Sequence, residues 1–193
     1  MNKKVTIVFH SVCGNSYIMA KEFYNEFDRY NTETQILRVK DPNYNELAAQ
    51  FTVAGQYKNE IMNIREAEVE MLLDSDIIIM GSPTYYGNVS GAMKAFMDSF
   101  SPYWAEARFW GKKLFSYTTC ATSEGGADMC LNAISIFGQH VGMMPIPVPA
   151  NLLPGQDFPA YGLVHYTGGY ANVRPGREVI SAIKKMTERL MKL

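Results

Sequence analysis

Residues 76–100, DIIIMGSPTYYGNVSGAMKAFMDSF, change their pattern twice. Ile77, Ile78, Ile79 and Met80 form an apolar run too short for a helix of its own and without alternation. A strand covered on both faces of a parallel sheet reads this way. Gly81, Ser82 and Pro83 end the run and turn the chain. Beyond Gly87 and Asn88 the apolar positions Val89, Ala92, Met93, Phe96 and Phe100 fall on one helical stripe. The unit is therefore strand, glycine-bounded loop carrying Tyr85 and Tyr86, then helix. In an open α/β sheet, ligands bind at such carboxyl-end loops.

The same unit recurs on both sides of this stretch. Residues 4–10, KVTIVFH, predict a first strand rich in β-branched and aromatic residues, followed by SVCGNSY and a helix over 16–30. Residues 34–39 predict a second strand, more polar and hence near an edge. The least periodic part, 41–59, holds Pro42 and Gly55 and reads as a long connection. A helix is expected over 61–74, with Ile64, Ala67, Met71 and Leu72 inward. Residues 113–119 predict the fourth strand, TCATSEGGADM its loop, and 127–140 a helix. The fifth strand, 143–148, is interrupted by Pro145 and Pro147 and is expected at an edge. Residues 151–175 read as a Gly- and Pro-rich surface excursion, and 177–193 as a closing amphipathic helix. Strands alternating with helices predict one domain over 1–193, an α/β doubly wound sheet of five parallel strands with helices on both faces.

Composition narrows the function. The chain has 193 residues, 47% hydrophobic and 19% charged, enough for a core without disulfide or metal staples. Its net charge of −1 carries no nucleic-acid footprint. No apolar run reaches the roughly 18 residues of a membrane span, and MNKKVTIVFH reads as a strand, not a signal peptide. Cys13, Cys120 and Cys130 lack Cys-x-x-Cys or His-rich spacing, so no metal site is expected, and a reduced cytoplasmic protein is.

Three loops carry the chemistry. In the first, Ser11, Val12, Cys13, Gly14, Asn15 and Ser16 join a buried strand to a helix start. A glycine between hydroxyls lets the backbone curl so that amides converge, and the helix N-terminus adds partial positive charge, which together suit a phosphate. The loop is neither a Walker loop nor GxGxxG, against a nucleoside triphosphate or a dinucleotide pyrophosphate here. Taken alone it also describes a capped helix after a tight turn. The third loop, Pro83, Thr84, Tyr85, Tyr86, Gly87 and Asn88, offers a hydroxyl, two aromatic faces and backbone amides. The fourth, Thr119, Cys120, Ala121, Thr122, Ser123, Glu124, Gly125 and Gly126, offers small side chains and free backbone. All three fall at one end of the sheet and together suit a flat heterocycle.

These residues reach a family. The register Ser-x-Cys-Gly-x-Ser at 11–16 resembles the Thr-x-Thr-Gly-x-Thr phosphate loop of flavodoxins. SPTYYGNVSGAMKAFMDSF resembles the Pro-Thr…Gly-Asn-Met-Ser-Gly segment of NAD(P)H:quinone oxidoreductases of the tryptophan-repressor-binding-protein type. The resemblance continues through Trp104, Gly111-Lys112, Gly125-Gly126 and Gly142-Met143. It implies FMN at the carboxyl end of a sheet ordered 2-1-3-4-5, and a homo-oligomer, dimer or tetramer. Carried over, Ser11, Cys13, Gly14, Asn15 and Ser16 would hold the phosphate. Pro83, Thr84, Tyr85, Tyr86, Gly87 and Asn88 would line the flavin ring, with Thr119, Cys120, Ala121, Thr122, Ser123 and Gly125 at its other edge. Tyr86, Trp104 and His140 are the candidates for the acceptor pocket. The family's arginine in the third loop is Tyr85 here, its usual tyrosine in the first loop is Cys13, and its paired histidines before Gly-Met are His140-Val141.

The expected activity is hydride transfer from NADH or NADPH through FMN to a quinone or similar flat acceptor, the cofactor carrying the chemistry and no side chain acting as acid or nucleophile. The other reading is a flavodoxin-type one-electron carrier between protein partners. Carriers of that kind present a strongly acidic docking face, which a net charge of −1 does not favour.

Overall fold

The computed structural model describes residues 2–193. Its strands are β1 (Lys4–Phe9), β2 (Glu33–Arg38), β3 (Ile77–Tyr85), β4 (Asn88–Val89), β5 (Lys113–Cys120), β6 (Met144–Pro145) and β7 (Leu163–Tyr166). The helices are α1 (Asn15–Asp28), α2 (Tyr44–Ala48), α3 (Lys58–Met62), α4 (Gly91–Asp98), α5 (Ser101–Trp104), α6 (Ala127–His140) and α7 (Arg177–Met191). The sheet order is β2-β1-β3-β5-β6. All pairs are parallel except β4, which folds back on β3 as a hairpin.

The apolar run of β3 serves two cores. Ile77 and Ile79 pack with Phe9, Phe115 and the inner faces of α1 and α7, including Phe23, Phe27, Ile183 and Leu190. Ile78 and Met80 pack on the other side with Met93 and Phe96 of α4 and Ile134 of α6. Period-two geometry sends successive side chains to opposite faces, so a strand with helices on both sides needs apolar residues at every position.

Two expectations need correction. Residues 61–74 are not one helix. The chain makes α3, runs extended, then makes a 3-10 turn at Val69–Leu72. Arg38 explains the extended piece: its amide donates to Arg65 O at 3.0 Å and its carbonyl accepts from Ala67 N at 2.8 Å. Its guanidinium adds bonds to Ile64 O at 3.0 Å and Glu66 at 2.9 Å. Edge pairing with β2 thus satisfies a backbone whose side-chain spacing suits a helix.

The fifth strand is also split. Only Met144 and Pro145 pair with Lys113 and Leu114, at the start of β5. Leu163–Tyr166 pairs with Tyr117–Cys120 at its end. The segment 151–175 is therefore not merely a surface excursion; it contains the second half of the edge strand.

Candidate functional site

β1 and β3 are neighbours, yet the chain leaves them toward β2 on one side and β5 on the other. A crevice opens at the carboxyl ends of strands at such a switch point. A cleft of about 210 Å³ lies there. Ser11, Val12, Cys13, Asn15 and Ser16 form one wall; Pro83, Thr84 and Tyr85 form another. Thr119 and Ala121 continue it, and Phe51, Thr167, Gly168, Gly169 and Ala171 complete it. None of these side chains is formally charged.

The first wall is built by a forced turn. Gly14 has φ 93°, and a Cβ there would collide with the Tyr57 ring, so only glycine suits the position. Its amide donates to Ser11 Oγ at 3.2 Å, and its carbonyl receives Ile18 N at 2.9 Å to start α1. Below, the buried Tyr117 hydroxyl donates to Ser16 O at 2.9 Å, and Ser16 Oγ meets Thr119 Oγ1 at 2.9 Å. The Tyr117 ring passes so close to Gly81 that no side chain fits there.

The amides of Val12, Cys13, Asn15 and Ser16 have no hydrogen-bond partner among the described residues. Val12, Asn15 and Ser16 are buried. Buried unpaired N–H groups are rare and costly, and four around a helix start describe an anion cradle. Burial pushes the Cys13 thiol up to about 11, Arg174 opposing only in part. The thiol therefore stays protonated near neutrality.

Behind this wall, buried His10 Nε2 meets Asp41 Oδ2 at 3.0 Å. That bond is the main cause holding the Asp41 carboxyl below its usual range, against the effect of burial. It anchors the segment in which Tyr44 and Ala54 pack on Val12, with Phe51 alongside.

On the opposite wall, β3 and β4 form a two-residue hairpin with Tyr85 opposite Asn88. Tyr86 and Gly87 at its tip have φ 53° and 73°, the type I′ geometry that matches strand twist. Tyr85 is largely buried; desolvation, then Cys13 and Asp41, push its hydroxyl pKa up, so it is a neutral wall.

The last wall comes from beyond β7. Thr167 N and Gly168 N continue the ladder to Cys120 O at 2.8 Å and Ala121 O at 3.1 Å. Asn15 Nδ2 donates to Ala171 O at 2.8 Å. Arg174 donates to Cys13 O at 2.6 Å, Asn15 Oδ1 at 3.1 Å and Gln56 Oε1 at 2.6 Å, with its guanidinium 5.0 Å from the Tyr57 ring centre.

Of the residues expected from sequence, Ser11, Cys13, Asn15, Ser16, Pro83, Thr84, Tyr85, Thr119 and Ala121 line the cleft. Gly14 shapes it from behind. Asn15 meets it through its amide, because both ends of its side chain are occupied. Tyr86 and Asn88 are exposed and Gly87 packs against Gly126, so these three lie outside the lining. Cys120 is buried against Gly125, and Thr122 and Ser123 are exposed; these four also stand away from it. Trp104 and His140, the expected acceptor-pocket residues, are not brought to this chain's cleft. The Trp104 indole donates to His140 O at 2.9 Å, so they meet each other, but at the amino end of the sheet. Helices α4 and α6 start at the carboxyl end and run back, carrying these residues away from this chain's cleft. Thr167, Gly168, Gly169, Ala171, Arg174 and Phe51 were missed.

The profile of the NADPH-dependent FMN reductases matches residues 4–156. The chain belongs to this family. As an FMN reductase it is a flavin-dependent NAD(P)H oxidoreductase. It is 26% identical over 187 residues to an NAD(P)H dehydrogenase (quinone) of Archaeoglobus fulgidus, covering 97% of this chain and 95% of that one. It is 30% identical over 149 residues to one of Syntrophobacter fumaroxidans, covering 76% and 72%. Its fold resembles a WrbA-like flavodoxin of Agrobacterium tumefaciens, with TM-score 0.70, 17% identity and coverage of 99% and 96%. It also resembles flavodoxin 1 of Bacillus cereus, with TM-score 0.68, 16% identity and 98% coverage of each.

The reductase's cleft fits FMN on its own geometry. The four unpaired amides answer a phosphate dianion where no cationic side chain lines the cleft, and the apolar edges of Pro83, Tyr85 and Ala121 answer a flat ring. Among the described residues, no group of metal-ligating side chains is present, and no helix is long and apolar enough to cross a membrane.

Proposed function

We propose that this reductase takes a hydride from NADH or NADPH and, by way of FMN in the cleft, delivers it to a quinone or similar flat acceptor. The observation that carries the reading is the set of unpaired amides at Val12, Cys13, Asn15 and Ser16. FMN supplies the two-electron chemistry when bound. The chain's own residues bind, orient and exclude water. The first loop would hold the phosphate, and Pro83, Thr84 and Tyr85 would wall the ring. Thr119, Ala121 and residues 167–171 would close its other edge. The protonated Cys13 thiol and neutral Tyr85 leave proton transfer to solvent or acceptor.

Assembly with further copies, as a dimer or tetramer, is part of this proposal. It is supported by the exposed Trp104, Trp110, Ile136 and Met144 around the amino end, and sedimentation velocity tests it. An assembly would also be the means by which a Trp104 or His140 could approach a cleft.

The test begins with the visible spectrum of purified protein, which should carry flavin bands, and continues with NADH and NADPH oxidation using benzoquinone. Bound FMN without turnover would remove the enzyme reading. A long-lived blue semiquinone on anaerobic photoreduction would favour the one-electron carrier.

A further inference from the structure

We infer that Arg174 is a positioning residue for the cofactor phosphate, acting through the backbone of the first loop without touching the phosphate itself. The inference rests on the flavin reading above and adds a residue beyond the span matched by the family profile, which ends at 156.

The argument is about peptide planes. The Cys13–Gly14 peptide is trans, so its carbonyl and amide point to opposite sides. Arg174 holds the carbonyl at 2.6 Å, and Ser11 Oγ holds the amide at 3.2 Å. This plane therefore cannot rock. One residue on, the Asn15 side chain is fixed between Ala171 O and the same guanidinium. Along the chain, the unpaired amides of Val12 and Cys13 precede the pinned plane and those of Asn15 and Ser16 follow it. Donors that must meet several oxygens of one anion act only when their directions are held.

Arg174 suits the task because its planar fork reaches several acceptors from one side chain. The guanidinium is itself held by Gln56 Oε1 and the face of Tyr57. Tyr57 is the ring that also forbids a side chain at Gly14. One residue thus ties the segment after β7, the 3-10 turn at Ala54–Tyr57 and the first loop together.

The phosphate separates this role from general scaffolding. FMN and riboflavin differ only in that group, so affinities of the flavin-free full-length chain for both should be measured by fluorescence quenching. Arg174→Ala is expected to weaken FMN by about tenfold while changing riboflavin by less than about twofold. Arg174→Lys, which keeps the charge but loses the fork, is expected to lose the same preference. A thermal melt of each variant confirms a folded chain. Equal losses for both flavins, or no loss, would overturn the inference, as would a wild-type preference in Arg174→Lys, which would make long-range charge the cause. A wild-type chain that binds neither flavin removes the flavin reading and this inference with it. Wild-type binding with equal losses in the variants removes only the inference.

Discussion

Gly126 and Gly87 touch backbone to backbone: a Cβ on residue 126 would stand 2.8 Å from the Gly87 Cα. Gly126 starts α6 with φ 81°, and Gly87 sits at the tip of the β3–β4 hairpin. The two loops flanking one side of the cleft are therefore spaced by main chain. Gly126→Ala is expected to lower stability by at least ~1–2 kcal/mol from the left-handed backbone alone. Urea unfolding measures it, with Gly91→Ala, where the space is open and the backbone helical, as the control expected to lose no stability.

Tyr86 holds a left-handed backbone with its ring in solvent. Strain without packing in return is a cost that asparagine tolerates better at the first position of a type I′ turn. Tyr86→Asn is expected to raise stability by about 0.5–1 kcal/mol, read as an upward thermal midpoint of about 1–4 °C. A fall would mean that the ring is held by contacts this chain does not itself contain.

The Asp41 carboxyl lies below its ordinary range in the folded chain, chiefly through His10. A depressed folded pKa stabilises above the unfolded value, and that contribution is lost as pH falls through about 4 and below. Urea midpoints should therefore fall on acidification more steeply in the wild type than in Asp41→Asn. Parallel pH profiles would remove the carboxylate from the account.

Cys13 lines the cleft, yet its thiol is pushed up to about 11. The nucleophilic thiolate is scarce at neutral pH. Native protein treated briefly with iodoacetamide near pH 7.5 should stay unlabelled at Cys13, while unfolded protein labels there, as read by peptide mass. Fast native labelling would show a thiolate stabilised by more than Arg174.

The β3 unit was legible in sequence because burial on both faces leaves no polar position to blur the pattern. The first loop alone also describes a capped helix, and it was legible as a wall of the cleft only because two further loops fall at the same end of the sheet. Residues 61–74 misled for a tertiary reason: edge pairing with Arg38 satisfies backbone that local spacing assigns to a helix. Trp104 and His140 could have been placed by topology, since a helix leaving the carboxyl end returns to the amino end. The wall at 167–171 left one unused signal. LVHYT followed by Gly168-Gly169 repeats the strand-then-glycine pattern of the other loops, hidden in a Pro-rich stretch. Nothing local marks Arg174, whose partners are set only when distant segments meet.

The split edge strand leaves one place where the chain can be opened without losing a strand pairing. Ile146 N still bonds Leu114 O at 2.8 Å, and Leu163 resumes opposite Tyr117, so only Phe115 and Ser116 separate the two pairings on β5. The intervening chain closes at its base, where Val148 N meets Ala160 O at 2.9 Å, and is exposed at Pro154 and Gly155. A break at that tip would leave every strand pairing in place. New termini there would divide the protein into a piece carrying the first, third and fourth loops and a piece carrying Arg174, each lacking part of the cleft until the two zip together along β5.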